Sequence, residues 1–124
     1  MATIKASIAD CEKAIVAGNA FLEKVRGEIR RENEKTANAL SSLDGLIMSA
    51  KNNASTDNEK RKAVWEGVLS SLLDDRRDTE RDGKEKSLAM DVAFKRLNDK
   101  VGVANGMLKR QIELIKERIA ERGR

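Results

Sequence analysis

The chain contains no histidine, proline or tyrosine, and only one cysteine, one tryptophan and two phenylalanines in 124 residues. Each shortage removes a class of protein. Without histidine, the side chain most often recruited for proton transfer near neutral pH is missing. With Cys11 as the lone thiol, Cys/His zinc frameworks, Ser-His-Asp triads and Cys-His nucleophile pairs are all excluded, and no internal disulfide can form. The lack of proline argues against loop-rich and all-β folds, which use it as punctuation. No apolar run approaches the ~18 residues of a membrane span. Met1-Ala2-Thr3-Ile4-Lys5 also lacks the charged-then-apolar layout of a signal segment, so a cytoplasmic location without membrane contact is expected.

What the chain does contain is charge and aliphatic carbon. Charged residues make up 37% of it, a balance typical of helical bundles and coiled coils. The 25 basic and 21 acidic side chains are intermixed, and the net charge of +4 gives only a weak pull toward nucleic acid or acidic surfaces. The length suits one domain, so residues 1–124 are read as a single all-helical domain.

From Ile4 the apolar residues recur at steps of four and three: Ile4, Ile8, Cys11, Ile15, Leu22, Val25 and Ile29, interrupted at Gly18. This is a heptad seam. The same frame meets Glu32 and Thr36 in a polar waist and recovers as Ala39, Leu43 and Leu46, broadened by Leu40 and Ile47. A break follows at Lys51-Asn52-Asn53-Ala54-Ser55-Thr56-Asp57, where Thr56 and Glu59 have capping-box spacing. The first arm therefore runs over about 2–51, the turn over 52–57 and the second arm over 58–122. In the second arm Trp65, Val68, Leu69 and Leu72 give way to a charged waist near 74–87. The seam returns as Met90, Phe94, Leu97, Val101, Ala104, Leu108 and Ile115.

Two architectures fit this pattern. A long antiparallel helical hairpin of coiled-coil type places the two polar waists opposite one another, because Leu72 and Met90 are separated by five whole turns and share one face. A four-helix up-down bundle puts loops at both waists instead, with Gly83 ending one helix and Ser87 capping the next. The hairpin needs fewer assumptions. A hairpin buries one narrow face per helix, so completion by oligomerisation is expected. Folding about the central turn sets Ile4 opposite roughly residue 105, which predicts that the tail overruns its partner arm.

No catalytic, cofactor-binding or metal-binding constellation emerges. Asp74, Asp78 and Asp82 recur at four-residue spacing, but Arg76, Arg77 and Arg81 are interleaved with them, which favours a mutually neutralised surface. Cys11 sits in the seam, where a thiol behaves as a small hydrophobe. Gly102 and Gly106 form a small-xxx-small step that allows close backbone approach and weakens the helix locally. No glycine-rich phosphate loop is present.

Trp65-Glu66-Gly67 resembles the Trp-x-Gly signature of the WxG family of leaderless secreted helical hairpins. In that family the tripeptide lies in the turn between the helices, whereas here it falls about two helical turns beyond the expected break. The chain has no tyrosine for the family's C-terminal export signal. The resemblance implies a secreted hairpin as one alternative function.

The leading expectation is a non-enzymatic helical interaction protein of adaptor, chaperone or inhibitor type, homo-oligomeric and binding another protein. Its expected contacts are Trp65, Val68, Leu69 and Leu72 near the turn, and Met107, Leu108, Ile112 and Ile119 in the tail. The alternative is a nucleic-acid-binding helical subunit that holds a phosphate backbone without reading sequence, through Arg30, Arg31, Arg76, Arg77, Lys109 and Arg110. Stacking aromatics for single strands are lacking, and Glu113, Glu117 and Glu121 accompany the C-terminal basic residues.

Overall fold

The computed structural model describes residues 2–123, with side chains from Ser7 to Gly123. Two helices, α1 (Ala2–Ala54) and α2 (Glu59–Arg122), pack against each other as a hairpin. Both polar waists are helical throughout, so the four-helix alternative with loops there is not the fold adopted. The packing falls into two compact units: a turn unit, Ile29–Met90, and a terminal unit made of Met1–Glu28 with Asp91–Arg124.

The turn is later and tighter than the asparagine run suggested. Helix α1 continues through Asn52 and Asn53 to Ala54, and its exit is closed by Ser55, whose backbone N–H (3.2 Å) and hydroxyl (3.1 Å) both donate to the Lys51 carbonyl. Asn58, rather than Thr56, caps α2. Its Oδ1 accepts from the backbone N–H groups of Lys60 at 3.1 Å and Arg61 at 3.2 Å, satisfying two of the donors that a helix start leaves unpaired. Thr56 instead shapes the approach, its Oγ1 accepting from the Asn58 N–H at 3.3 Å.

Within the turn unit, Thr36 lies against Gly83 and Asp44 reaches Arg76. Continued to the end of α1, that register sets Ala54 across from Trp65. The stretch from Glu59 to Val64 therefore extends past α1, and all of it is exposed. Within the terminal unit, Gly18 meets Val101, and Arg26 lies over the Phe94 ring at 5.1 Å. Ser7 shares a surface hollow with Gln111, Ile115, Arg118 and Arg122. This corrects the expected overrun of the tail: α2 lies beside the first turns of α1, and Ile112 is only 7% exposed. The offset arises because α1 ends later than expected, at Ala54, and the first residues of α2 extend past it.

The seam is visible in the burial pattern. In α1 the less exposed positions run Ile8, Cys11, Ile15, Gly18, Leu22, Val25, Ile29, Glu32, Thr36, Leu40, Leu43, Ile47, Ala50 and Ala54. The expected frame fails after Thr36, where a step of four follows a step of four. Leu40 and Ile47 take the seam, while Ala39 and Leu46 face outward. A straight α-helix drifts about 20° per heptad relative to a 3.5-residue repeat, and an eleven-residue interval restores the face. Ile29 to Leu40 is such an interval. Its partner on α2, Thr79, Gly83, Ser87 and Met90, makes the mirror-image steps of four, four and three. A third double step of four, Leu97-Val101-Asn105, brings Asn105 into the seam and leaves the expected Ala104 exposed. The expected first seam residue, Ile4, lies outside the described side chains.

Only Leu22, Ile47, Ala50 and Ile112 are buried among the described residues; the rest of the seam is half-buried.

Two glycines on opposite sides of this packing should respond oppositely to alanine. Gly45 has open space where a Cβ would stand, so Gly45→Ala should raise stability by roughly 0.5–1 kcal/mol through helix propensity. A Cβ at Gly83 would overlap the Thr36 methyl, so Gly83→Ala should lower the melting temperature, and adding Thr36→Ala should recover it. Thermal denaturation followed by circular dichroism reads both. Asn58→Ala should cost about 1 kcal/mol in the same measurement by uncapping α2.

Candidate functional site

Three surfaces follow from this packing: the polar waist, the charged exterior and the outward apolar faces.

At the waist the seam substitutes ion pairs for hydrocarbon. Lys86 Nζ donates to Glu32 Oε2 across the hairpin, and Lys35 Nζ approaches the same carboxylate's other oxygen at 3.1 Å. About three helical turns further along α1, Arg76 Nε donates to Asp44 at 2.5 Å across the hairpin while its Nη1 donates to Glu80 at 3.0 Å along the helix. Glu80 also accepts from Lys84 at 3.3 Å. The hydrogen bond from Lys86, then that from Lys35, holds the Glu32 carboxyl below its ordinary value. Lys84 first, and Arg76 after it, does the same to Glu80, and Asp44 favours the charged form of Arg76.

These pairings sort the candidate basic residues. Arg76 is committed to Asp44 and Glu80, and Arg77 pairs with Asp74 at 3.5 Å. Arg30, Arg31, Lys109 and Arg110 are exposed; the first two belong to the turn unit and the last two to the terminal unit. The acidic series is tied up likewise: Arg81 lies 3.4 Å from Asp78 and 3.5 Å from Asp82. Among the described residues no group of three or more acidic or thiol side chains is arranged to hold a metal ion. No described helix is long and apolar enough to cross a membrane.

Of the apolar contacts expected from sequence, most belong to the hairpin itself. Trp65, Leu69, Leu72, Leu108, Ile112 and Ile119 occupy seam positions, buried or half-buried between the arms, because the register carries α2's own stripe onto α1. Val68 and Met107 are the two that face outward. The Trp65-Glu66-Gly67 tripeptide is helical, beyond the turn, with Trp65 half-buried. Sequence reasoning missed the outward residues Val16, Leu88, Val92, Val103 and Leu114, all exposed. Their signal is a second helical stripe, on the side of each helix away from the seam.

No family model matches the sequence, and no curated protein or solved structure shows significant similarity to it.

The waist carboxylates generate a pH dependence. A carboxylate whose folded pKa is depressed contributes stability that is present above its ordinary value of 4.5 and is lost as pH falls through the folded value. Acid titration of the helical signal should therefore show the native protein losing stability below that pH. Glu32→Gln combined with Glu80→Gln should flatten this acid limb while leaving the neutral-pH signal helical.

Proposed function

We propose that this chain is a non-enzymatic helical interaction protein that self-associates and presents helix faces to another protein. The observation that supports this is surface left uncovered. The chain exposes 9556 Å², whereas a folded monomer of 13.8 kDa exposes about 6,600 Å² on the mass scaling of soluble proteins. The excess is larger than the roughly 1,000–2,500 Å² that each partner contributes to an obligate homodimer interface. Much of what is exposed is apolar, including Val16, Phe21, Leu46, Met48, Val64, Leu88, Val103 and Met107. Isolated apolar side chains on a surface are ordinary, but aligned rows of them mark association surfaces.

Binding of a phosphate backbone is the weaker reading, because Arg76 and Arg77 are already paired with carboxylates and the remaining candidates are two separate basic pairs. Light scattering after size exclusion, at low and high salt and with absorbance recorded at protein and nucleic-acid wavelengths, separates the two. The expected result is a nucleic-acid-free species heavier than 13.8 kDa whose mass is insensitive to salt. A monomer at every concentration refutes self-association, and co-purifying nucleic acid that is shed in high salt supports the phosphate-binding reading instead.

A further inference from the structure

Each helix of the terminal unit carries a second apolar face, turned roughly 150° from the seam. On α1 it is centred on Val16, 66% exposed, with Ala9, Ala17 and Ala20 around it. On α2 its apolar members are Val103, 65% exposed, Met107, 69% exposed, and Leu114, with Arg96 and Arg110 on the same side of the helix. The two faces point away from each other, so neither can cover the other within one chain. We propose that they meet between copies: the Val16 face of α1 packs on the Val103–Met107–Leu114 face of α2 in a second copy, joining hairpins side by side through a heterologous contact. This inference rests on the self-association reading above and names the surfaces that carry it.

Three observations select a second copy as the occupant. The first is height. The register that sets Gly18 against Val101 also places Val16 level with Val103, so the two outer faces occupy the same stretch of the terminal unit. A neighbouring hairpin in the same orientation then brings its α2 against this α1 antiparallel, in the register already used inside the chain, without axial displacement. The second is size. The α1 face carries small side chains beside charged ones, with a shallow hollow between Ala9, Glu12, Lys13, Val16 and Ala17, while the α2 face supplies larger side chains. Gly102 and Gly106 flank the larger chains with nothing within 4 Å of where a Cβ would stand, which leaves room for a neighbouring backbone. The third is area. Two contacts per copy at a standard size of about 800 Å² per partner would cover roughly half of the excess surface. A foreign partner would need only one face. Two complementary faces, level with each other and directed to opposite sides, suit a repeating unit.

A heterologous contact leaves one face of each kind open at the ends and therefore propagates, into a ring if the rotation closes and otherwise into a filament. The experiment is light scattering across a concentration series on the full chain, on Val16→Lys, on Met107→Lys and on their equimolar mixture, with helicity checked by circular dichroism. Ala17→Lys and Val103→Lys serve as replacements if either variant loses helix. The native chain should exceed the mass of two protomers and grow with concentration, and each variant alone should stay at 13.8 kDa. The mixture should reach twice that mass and stop, because it retains one intact face of each kind. A variant that dimerises alone, a mixture no heavier than its components, or a native oligomer that both variants leave intact overturns the face assignment while self-association stands. A native chain that is monomeric throughout overturns both.

Discussion

A helix removes from water only the side that meets a neighbour, and in this chain each helix has one neighbour. Most of the remaining structure follows from that limit. The seam residues alternate at three and four, yet only four described side chains are buried. A half-buried leucine gains only part of the about 1.5–3 kcal/mol that full burial of such a side chain provides. Helix propensity cannot make up the difference, since most helical stability in proteins comes from tertiary packing. Cys11 illustrates the point: it is a half-buried member of the seam, filling space as a small apolar group between Ile8 and Ile15.

The waist shows what the chain does with the packing it has. A uniformly apolar heptad seam tolerates slippage by a heptad, because every such register buries similar hydrocarbon. Glu32 with Lys86, Asp44 with Arg76, and the Thr36 methyl over Gly83 satisfy one register only. Ion pairs this exposed add little stability. Their effect lies in selection, since a slipped hairpin would set charges against hydrocarbon and a side chain against the Thr36 methyl. Polar groups in coiled-coil seams act in this way, fixing register at some cost in stability.

The sequence made the helical class, the two arms and the opposition of the polar waists legible, because each depends on local periodicity and on arithmetic along a helix. It misplaced features that depend on three-dimensional closure. Asn52 and Asn53 have the composition of a helix end, but α1 runs through them to Ala54, and Asn58 accepts from the free N–H groups that begin α2. The later end of α1 and the extension of Glu59 to Val64 past it shifted the register and brought the tail alongside α1. Trp65, Leu69, Leu72, Leu108, Ile112 and Ile119 lie at half-buried or buried seam positions within the hairpin. The outward stripe was also present in the sequence, but its meaning depended on knowing which side of each helix was already occupied.

The eleven-residue intervals explain one further feature, the glycine that interrupts the seam of α1. In the turn unit the interval of α1 from Ile29 to Leu40 is matched by the interval of α2 from Thr79 to Met90, so both helices change winding together and their seams stay in contact. In the terminal unit α2 makes its double step of four at Val101 and Asn105, while the facing part of α1 keeps to alternate steps. An unmatched change of winding pushes extra volume toward the partner helix. Gly18 receives it: a Cβ there would lie 3.2 Å from the Val101 Cγ1, and the neighbouring Asn19 takes a hydrogen bond from Asn105 at 3.0 Å. The missing side chain in one helix and the additional seam residue in the other are thus two halves of the same local fit.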